Sequence, residues 1–166
     1  MNLFGVLSEV YPTLLTGLTM TVKITILSLI IALVIGIFVC LMNISSNIVL
    51  RGIAKFYIWL IRGTPMLVQA FYFYFALPQL IQAVTGSQFR ITVFTASLVT
   101  LALNAGAYIS EIFRGSIESV NKGQMEAGRS LGLNKFQTMR YIIIPQAFKS
   151  ILPPLGNEFI VLIKET

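Results

Sequence analysis

The chain has 166 residues, of which 56% are hydrophobic and only 11% are charged, and its formal net charge is +6. A soluble globular chain carries about a quarter charged residues, so this composition excludes an ordinary cytosolic domain. One Cys and no His exclude an internal disulfide, a His/Cys metal site and a Ser-His-Asp triad. No glycine-rich phosphate loop is present, so we predict no enzyme and no catalytic or metal site in this chain.

Three uncharged runs are each long enough to cross a bilayer: 24–50, 63–89 and 91–110. A membrane-spanning helix needs roughly 20 apolar residues. We therefore predict an all-α polytopic membrane protein that forms a single transmembrane domain over residues 1–166. The expected elements are an interfacial lead-in over 1–12, spans at about 24–42, 56–80 and 91–113, and a fourth hydrophobic region that begins near Tyr141.

The basic residues are distributed unequally among the predicted loops. Arg90 alone lies between the second and third spans, whereas seven basic residues lie in the loops on the other side: Arg51, Lys55, Arg114, Lys122, Arg129, Lys135 and Arg140. Cytoplasmic loops carry the excess of Lys and Arg. This distribution predicts a cytoplasmic location for the two basic loops and an N-terminus outside. The excess charge thus reports orientation, and we expect no nucleic-acid partner.

The fourth region combines helix-breaking and charged residues. Prolines and a glycine interrupt it (Pro145, Pro153, Pro154, Gly156), and Lys149 and Glu158 charge it. Irregular backbone at membrane depth is tolerated only where it is buried in protein or lines a wet cavity. We expect a broken helix that lines a pathway. The sequence stops at Lys164-Glu165-Thr166 without a helix-end signal, so we also expect the chain to be C-terminally truncated.

The stretch between the third and fourth regions is patterned as a short amphipathic helix. Met125, Leu131, Leu133 and Phe136 alternate with Glu126, Arg129 and Lys135, and Gly132 interrupts the pattern after two turns. Such a helix lies on a membrane surface or inserts into a groove of another protein. Periodicity alone does not distinguish these two possibilities.

The same stretch resembles the signature loop of ABC-importer permeases. That signature reads Glu-Ala-Ala, three residues, Gly, nine residues, Ile-x-Leu-Pro, and the spacing is kept here, with Gly128 in place of Ala and Ile144 in place of Leu. The matching residues are Glu126, Ala127, Gly128, Gly132, Ile142, Ile144 and Pro145. Residues 62–69, 107–115, 122–124 and 153–158 are further similar to the polar amino-acid branch, which serves histidine, arginine, glutamine, glutamate and cystine. The family normally has five spans.

The resemblance implies a type I ABC-importer transmembrane domain with about four spans present and a fifth missing. It implies a permease subunit of an ATP-driven importer for polar amino acids in a bacterial inner membrane. The implied partners are a cytoplasmic ABC ATPase dimer, a second permease subunit, the same or homologous, and an extracytoplasmic amino-acid-binding protein. ATP and Mg²⁺ would be held by the ATPase, with no cofactor in this chain.

In this interpretation the loop 115–140 couples the permease to the ATPase. Glu126 would make an electrostatic contact and Gly132 would let the helix leave the ATPase groove. The full set of coupling residues implied by the resemblance is Glu126, Ala127, Gly128, Gly132, Leu133, Ile142 and Pro145.

Four residues are candidates for the substrate pathway. Glu158 and Glu165 are seven apart and share a helix face, where two carboxylates could hold an ammonium or guanidinium group. The alternative is that Glu158 pairs with Lys149 or Arg62 and that Glu165 marks the interface with Lys164. Asn104 and Tyr108, with Glu111, form a polar stripe on the third span. This stripe either contacts substrate or makes interhelical contacts, such as those that join the two permease subunits, and interhelical packing is favoured.

Two further predictions concern the backbone. Pro65 is expected to kink the second span, and Gly17, Gly36 and Gly106 are expected to permit close helix approach.

Two rival functions remain. An ion-coupled secondary transporter would show an inverted repeat, which we do not find. A channel-like protein would have no use for the ATPase-loop signature.

Overall fold

The computed structural model describes the backbone of residues 3–166 and the side chains of residues 10–166. Within that part of the chain it contains eight α-helices and no strand. They are α1 (Leu3–Asn43), α2 (Ile48–Arg62), α3 (Met66–Phe71), α4 (Leu77–Thr85), α5 (Val93–Glu118), α6 (Lys122–Ser130), α7 (Lys135–Thr138) and α8 (Ile144–Glu165). Five-residue π-helical segments join α3 to α4 (Tyr72–Ala76) and α7 to α8 (Met139–Ile143).

The centre of the fold is the packing of α1 against α5. Gly36 on α1 lies so close to α5 that a Cβ there would stand 2.6 Å from Ile109 Cγ2. Gly106 on α5 has the reciprocal position, 2.8 Å from Ile35 Cγ2. The two predicted roles in close helix approach are confirmed. The prediction for Gly17 finds no support within the described residues, none of which lies within 4 Å of a Cβ at that position.

Among the described residues, three helices are long and apolar enough to cross a membrane: Val10–Asn43, Met66–Thr85 and Val93–Glu118. They contain the predicted first and third spans. The predicted fourth hydrophobic region forms α8, which has 22 residues, or about 33 Å at 1.5 Å per residue. It packs on α5 and α1. The all-α membrane fold is confirmed.

The predicted lead-in does not exist as a separate element. The backbone is helical from Leu3 onward and continues through Pro12 into the first span; Met1 and Asn2 lie outside the described residues. Proline's fixed φ is compatible with a helix, at the cost of one backbone hydrogen bond. The polar Thr16 and Thr19 side chains are also accommodated, because each donates to a carbonyl four residues earlier.

The predicted second span is broken at Pro65 and is not a single helix. α2 ends at Arg62 and α3 begins at Met66, and Pro65 between them is extended, with φ −59° and ψ 137°. Proline disfavours helical backbone at the residue before it. The expected kink is therefore a full break of the helix.

The fourth region was expected to be broken, but α8 is continuous through Pro153 and Pro154. Both prolines fit a helical φ, and what the helix loses is the pair of backbone hydrogen bonds to the carbonyls of Lys149 and Ser150. The expected interruption at this point is wrong. Pro145 lies in the first turn of α8 and closely follows the π-helical segment Met139–Ile143.

Candidate functional site

A cavity of about 650 Å³ lies between the α2–α3 break, α5 and α8. All four residues predicted for the substrate pathway line it: Asn104, Tyr108, Glu158 and Glu165. The remaining lining residues are Arg62, Gly63, Thr64, Pro65, Met66, Asn157 and Val161. We call this space the central cavity.

The two carboxylates of α8 line this cavity together, as their spacing of two helical turns predicts. Within the part of the chain that the structure describes, neither Glu158 nor Glu165 has an ion-pair partner within 4.0 Å. The alternative pairing of Glu158 with Lys149 or Arg62 is therefore not found.

Arg62 contributes a positive charge to the same cavity. It is the last residue of α2, and its guanidinium carbon lies 5.0 Å from the centre of the Tyr108 ring. Its Nη1 is 3.9 Å from Glu111 Oε2, which is the outer limit of an ion pair. Sequence reasoning named Arg62 only as a structural partner and missed it as a cavity residue. The signal was its place beside the helix-breaking Pro65.

Gln69 holds the α2–α3 break in shape. Its buried Nε2 donates to Ile61 O at 2.8 Å, Thr64 O at 3.0 Å and Thr64 Oγ1 at 2.8 Å. Its Oε1 accepts from Asn104 Nδ2 at 3.2 Å. Asn104 thus both lines the cavity and joins α5 to α3, so the two interpretations of its place in the stripe are compatible.

Glu111, the third residue of the stripe, lies outside the central cavity. It accepts from Arg114 Nη2 at 2.8 Å and from Asn43 Nδ2 at 3.2 Å. With Arg62 close by, it ties together the ends of α1 and α2 on α5. Its position favours helix packing for this part of the stripe.

The loop 115–140 contains two short helices separated by a tight turn. The Asn121 side chain caps α6, and Asn134 forms a reciprocal capping box with Gln137 at the start of α7. Gly132 between the helices has φ +83°, a conformation that glycine adopts without a steric penalty. The turn at Gly132 was predicted, but the single expected amphipathic helix is two helices, and Leu131 and Leu133 lie in the turn between them.

The residues matching the permease signature divide into exposed and packed groups. Glu126 and Ala127 are exposed on α6, whereas Gly128 is buried against α7. A Cβ at Gly128 would stand 2.6 Å from Thr138 Cγ2 and 3.0 Å from Ile142 Cδ1. Gly128 and Ile142 therefore hold the loop together. Leu133 is half-buried and Pro145 begins α8.

The comparisons with known proteins agree with this architecture. The family model described as "Binding-protein-dependent transport system inner membrane component" matches residues 32–166. The glutamine transport system permease protein GlnP of Escherichia coli K12 is 43% identical over 155 residues, which are 93% of this chain and 68% of that protein. The probable amino-acid permease protein YxeN of Bacillus subtilis 168 is 41% identical over 156 residues, with coverage of 94% and 68%.

Solved structures give the same result at the level of the fold. A chain from a structure described as an amino acid ABC transporter with histidines superposes with a TM-score of 0.89 at 44% identity, covering 99% of this chain and 74% of that one. A chain of the inward-facing MetNI methionine ABC transporter superposes at 0.73, with 20% identity and coverage of 94% and 72%.

The fold is that of the transmembrane domain of type I ABC importers. The chain belongs to the family of binding-protein-dependent transport system inner membrane components. The family resemblance found in the sequence is thus confirmed.

Proposed function

We propose that this protein is the permease subunit of an ATP-driven importer for polar amino acids, and that the central cavity forms part of the substrate path. The observation that carries this proposal is that Glu158 and Glu165 line one cavity with Arg62 and have no ion-pair partner among the described residues. A free amino acid carries an ammonium and a carboxylate group. The cavity offers a partner of opposite charge to each of them.

The size and the polar lining of the cavity fit such a solute. Its volume of about 650 Å³ falls within the roughly 300–1,000 Å³ of small-molecule sites. Asn104, Asn157 and the Tyr108 hydroxyl supply uncharged donors and acceptors at its wall. Two relatives, a glutamine permease and a probable amino-acid permease, support the same class of solute.

In the proposed function the loop 115–140 meets the cytoplasmic ATPase dimer, which holds ATP and Mg²⁺. Support comes from the exposed Glu126 and Ala127 on α6 and from the Gly132 turn that follows. A neighbouring cavity of about 730 Å³ is lined by Glu126, Met125 and Met139 among others. ATP-driven closure of the ATPases would shift the permease between two packed states.

The proposal includes a second permease subunit and an extracytoplasmic amino-acid-binding protein as further partners. It places the chain as one transmembrane domain in a bacterial inner membrane, with its N-terminus outside. The family description as an inner membrane component supports the location, and the distribution of basic residues supports the orientation.

The test is amino-acid uptake by the complete transporter in proteoliposomes. We expect Glu158→Gln and Glu165→Gln each to raise the half-saturation concentration roughly tenfold to hundredfold, because each loses a charge-assisted hydrogen bond of about 1.5–3 kcal/mol. ATPase co-purification should be unchanged in both. Glu126→Lys should instead abolish co-purification, since it introduces a repelled charge at the docking contact.

The matched control is Lys149→Gln, which removes a charge from α8 outside the cavity and should leave half-saturation unchanged. Wild-type half-saturation in both carboxylate variants would refute the substrate role. Normal ATPase recovery with Glu126→Lys would refute the coupling role.

A further inference from the structure

A second charged cavity, of about 820 Å³, lies apart from the central cavity. It opens between the α1–α2 turn, α2, the end of α5 and the start of α7. Asn43, the last residue of α1, and Glu118, the last residue of α5, both line it. Two helices that are long and apolar enough to cross a membrane end here, which favours a position near the edge of the bilayer. We call it the edge cavity.

The edge cavity has an excess of positive charge. Arg51, Lys55, Arg114 and Lys135 line it together with two acidic residues, Glu111 and Glu118. Both carboxylates already form ion pairs with Arg114. Among the described residues, the other three cations have no ion-pair partner within 4.0 Å. Three cations facing one space favour an anionic ligand.

The remaining lining is apolar, which a free anion would not require. Ile44, Ile58, Trp59, Ile117 and Met139 lie beside the cations. Trp59 is 70% exposed and its ring centre is 5.9 Å from that of Phe56, which is 61% exposed. Exposed aromatic side chains of this kind concentrate at the membrane interface.

The helix that carries these groups is itself amphipathic. Arg51 and Lys55 are four residues apart on α2, so they share a face. Ile48, Val49 and Ile53 are exposed apolar residues of the same helix. A short helix with a basic face and a hydrophobic face lies in the interfacial plane of a membrane. A phosphate and its acyl chains would meet both kinds of surface here.

We infer that the edge cavity binds the headgroup phosphate of an anionic phospholipid. Arg51, Lys55 and Lys135 contact the phosphate, and Ile58 and Trp59 contact the adjoining acyl chains. Basic pockets between membrane helices bind anionic headgroups in the same way. The inference is independent of the solute that the central cavity takes.

The experiment measures binding of radiolabelled phosphatidylglycerol to the complete transporter in detergent. The test variant is Arg51→Gln/Lys55→Gln/Lys135→Gln. The matched control, Lys23→Gln/Arg90→Gln/Lys149→Gln, removes the same charge from residues outside both the edge cavity and the loop 115–140. Each cation near an anionic lipid contributes about fivefold in affinity. We expect a loss on the order of a hundredfold for the test variant and less than about twofold for the control.

Unchanged binding by the test variant, or an equal loss in the control, would overturn the inference. Displacement of the labelled lipid by millimolar inorganic phosphate would also overturn it, because the site would then bind a soluble anion. Phosphatidylcholine should compete weakly, because its choline cation cancels the charge of the phosphate; competition equal to that of phosphatidylglycerol would overturn the assignment to an anionic lipid. If the triple variant does not assemble, Lys55→Gln alone should weaken binding about fivefold, and wild-type binding by that variant would refute the proposed site.

Discussion

Gly128 shows how a single atom can decide the packing of the loop. The family signature has Ala at this position, but here a Cβ would stand 2.6 Å from Thr138 Cγ2. We expect Gly128→Ala to lower the free energy of unfolding by up to about 2 kcal/mol, because overpacking costs about 1–3 kcal/mol and helix propensity returns up to about 1 kcal/mol. Chemical denaturation of the detergent-solubilised protein measures this change.

A double variant separates the steric cause from a general effect on α6. Thr138→Ala removes both atoms of Thr138 that a new Cβ would meet, at the cost of the Thr138 hydrogen bond to Asn134 O. Gly128→Ala should then cost less in the Thr138→Ala background than alone. Equal cost in both backgrounds would show that the contact with Thr138 is not responsible.

The α1–α5 contact gives a second prediction at this scale. Gly36→Ala should destabilise the protein by about 1–3 kcal/mol, because its Cβ would stand 2.6 Å from Ile109 Cγ2 and 3.2 Å from the Ser110 backbone N. Gly17→Ala is the matched control on the same helix, since nothing lies within 4 Å there. The thermal midpoint should fall for Gly36→Ala alone. A similar fall for both variants would contradict the role of close packing.

Among the helices, sequence pattern located the elements better than their interruptions. Uncharged runs predicted the first and third spans because apolar length is what a bilayer requires. The helix breaks were misjudged in both directions: the chain breaks at Pro65 but continues through Pro153 and Pro154. A proline fits a helix if neighbouring groups or water compensate the freed carbonyls. That compensation depends on tertiary packing, which a local pattern does not contain.

The break at Pro65 depends on Gln69, which gives a prediction for the α2–α3 element. Gln69→Leu keeps the side chain buried but removes the donors to Ile61 O and Thr64 O and the acceptor for Asn104. Each buried group left without a partner costs about 1–3 kcal/mol. We expect a large fall in the thermal midpoint, against little change for the exposed Gln82→Leu on α4. Equal midpoints for the two variants would show that the break does not need Gln69.

At the scale of the whole molecule, the sequence predicted which site residues share a helix face but not how the helices bring them together. Glu158 and Glu165 share a face of α8, and Asn104 and Tyr108 share a face of α5, so spacing found each pair. That both pairs face one cavity with Arg62 depends on how α2, α5 and α8 pack. Arg62 also lies 3.9 Å from Glu111, which lines the edge cavity. α5 thus lines the central cavity with Asn104 and Tyr108 and the edge cavity with Glu111, and its end leads into the loop 115–140.

The orientation of the whole molecule gives the last prediction. Seven basic residues in the loops on one side, against Arg90 on the other, favour a cytoplasmic location for the loop 115–140. In a Cys40→Ala background, a cysteine at Gln88, in the loop after α4, should react with a membrane-impermeant maleimide in intact cells. A cysteine at the exposed Lys122 should react only after permeabilisation. Both positions are exposed, so failure to react reports the membrane barrier rather than burial. Labelling at Lys122 in intact cells, with protection at Gln88, would place α6 outside and remove it from any contact with a cytoplasmic ATPase.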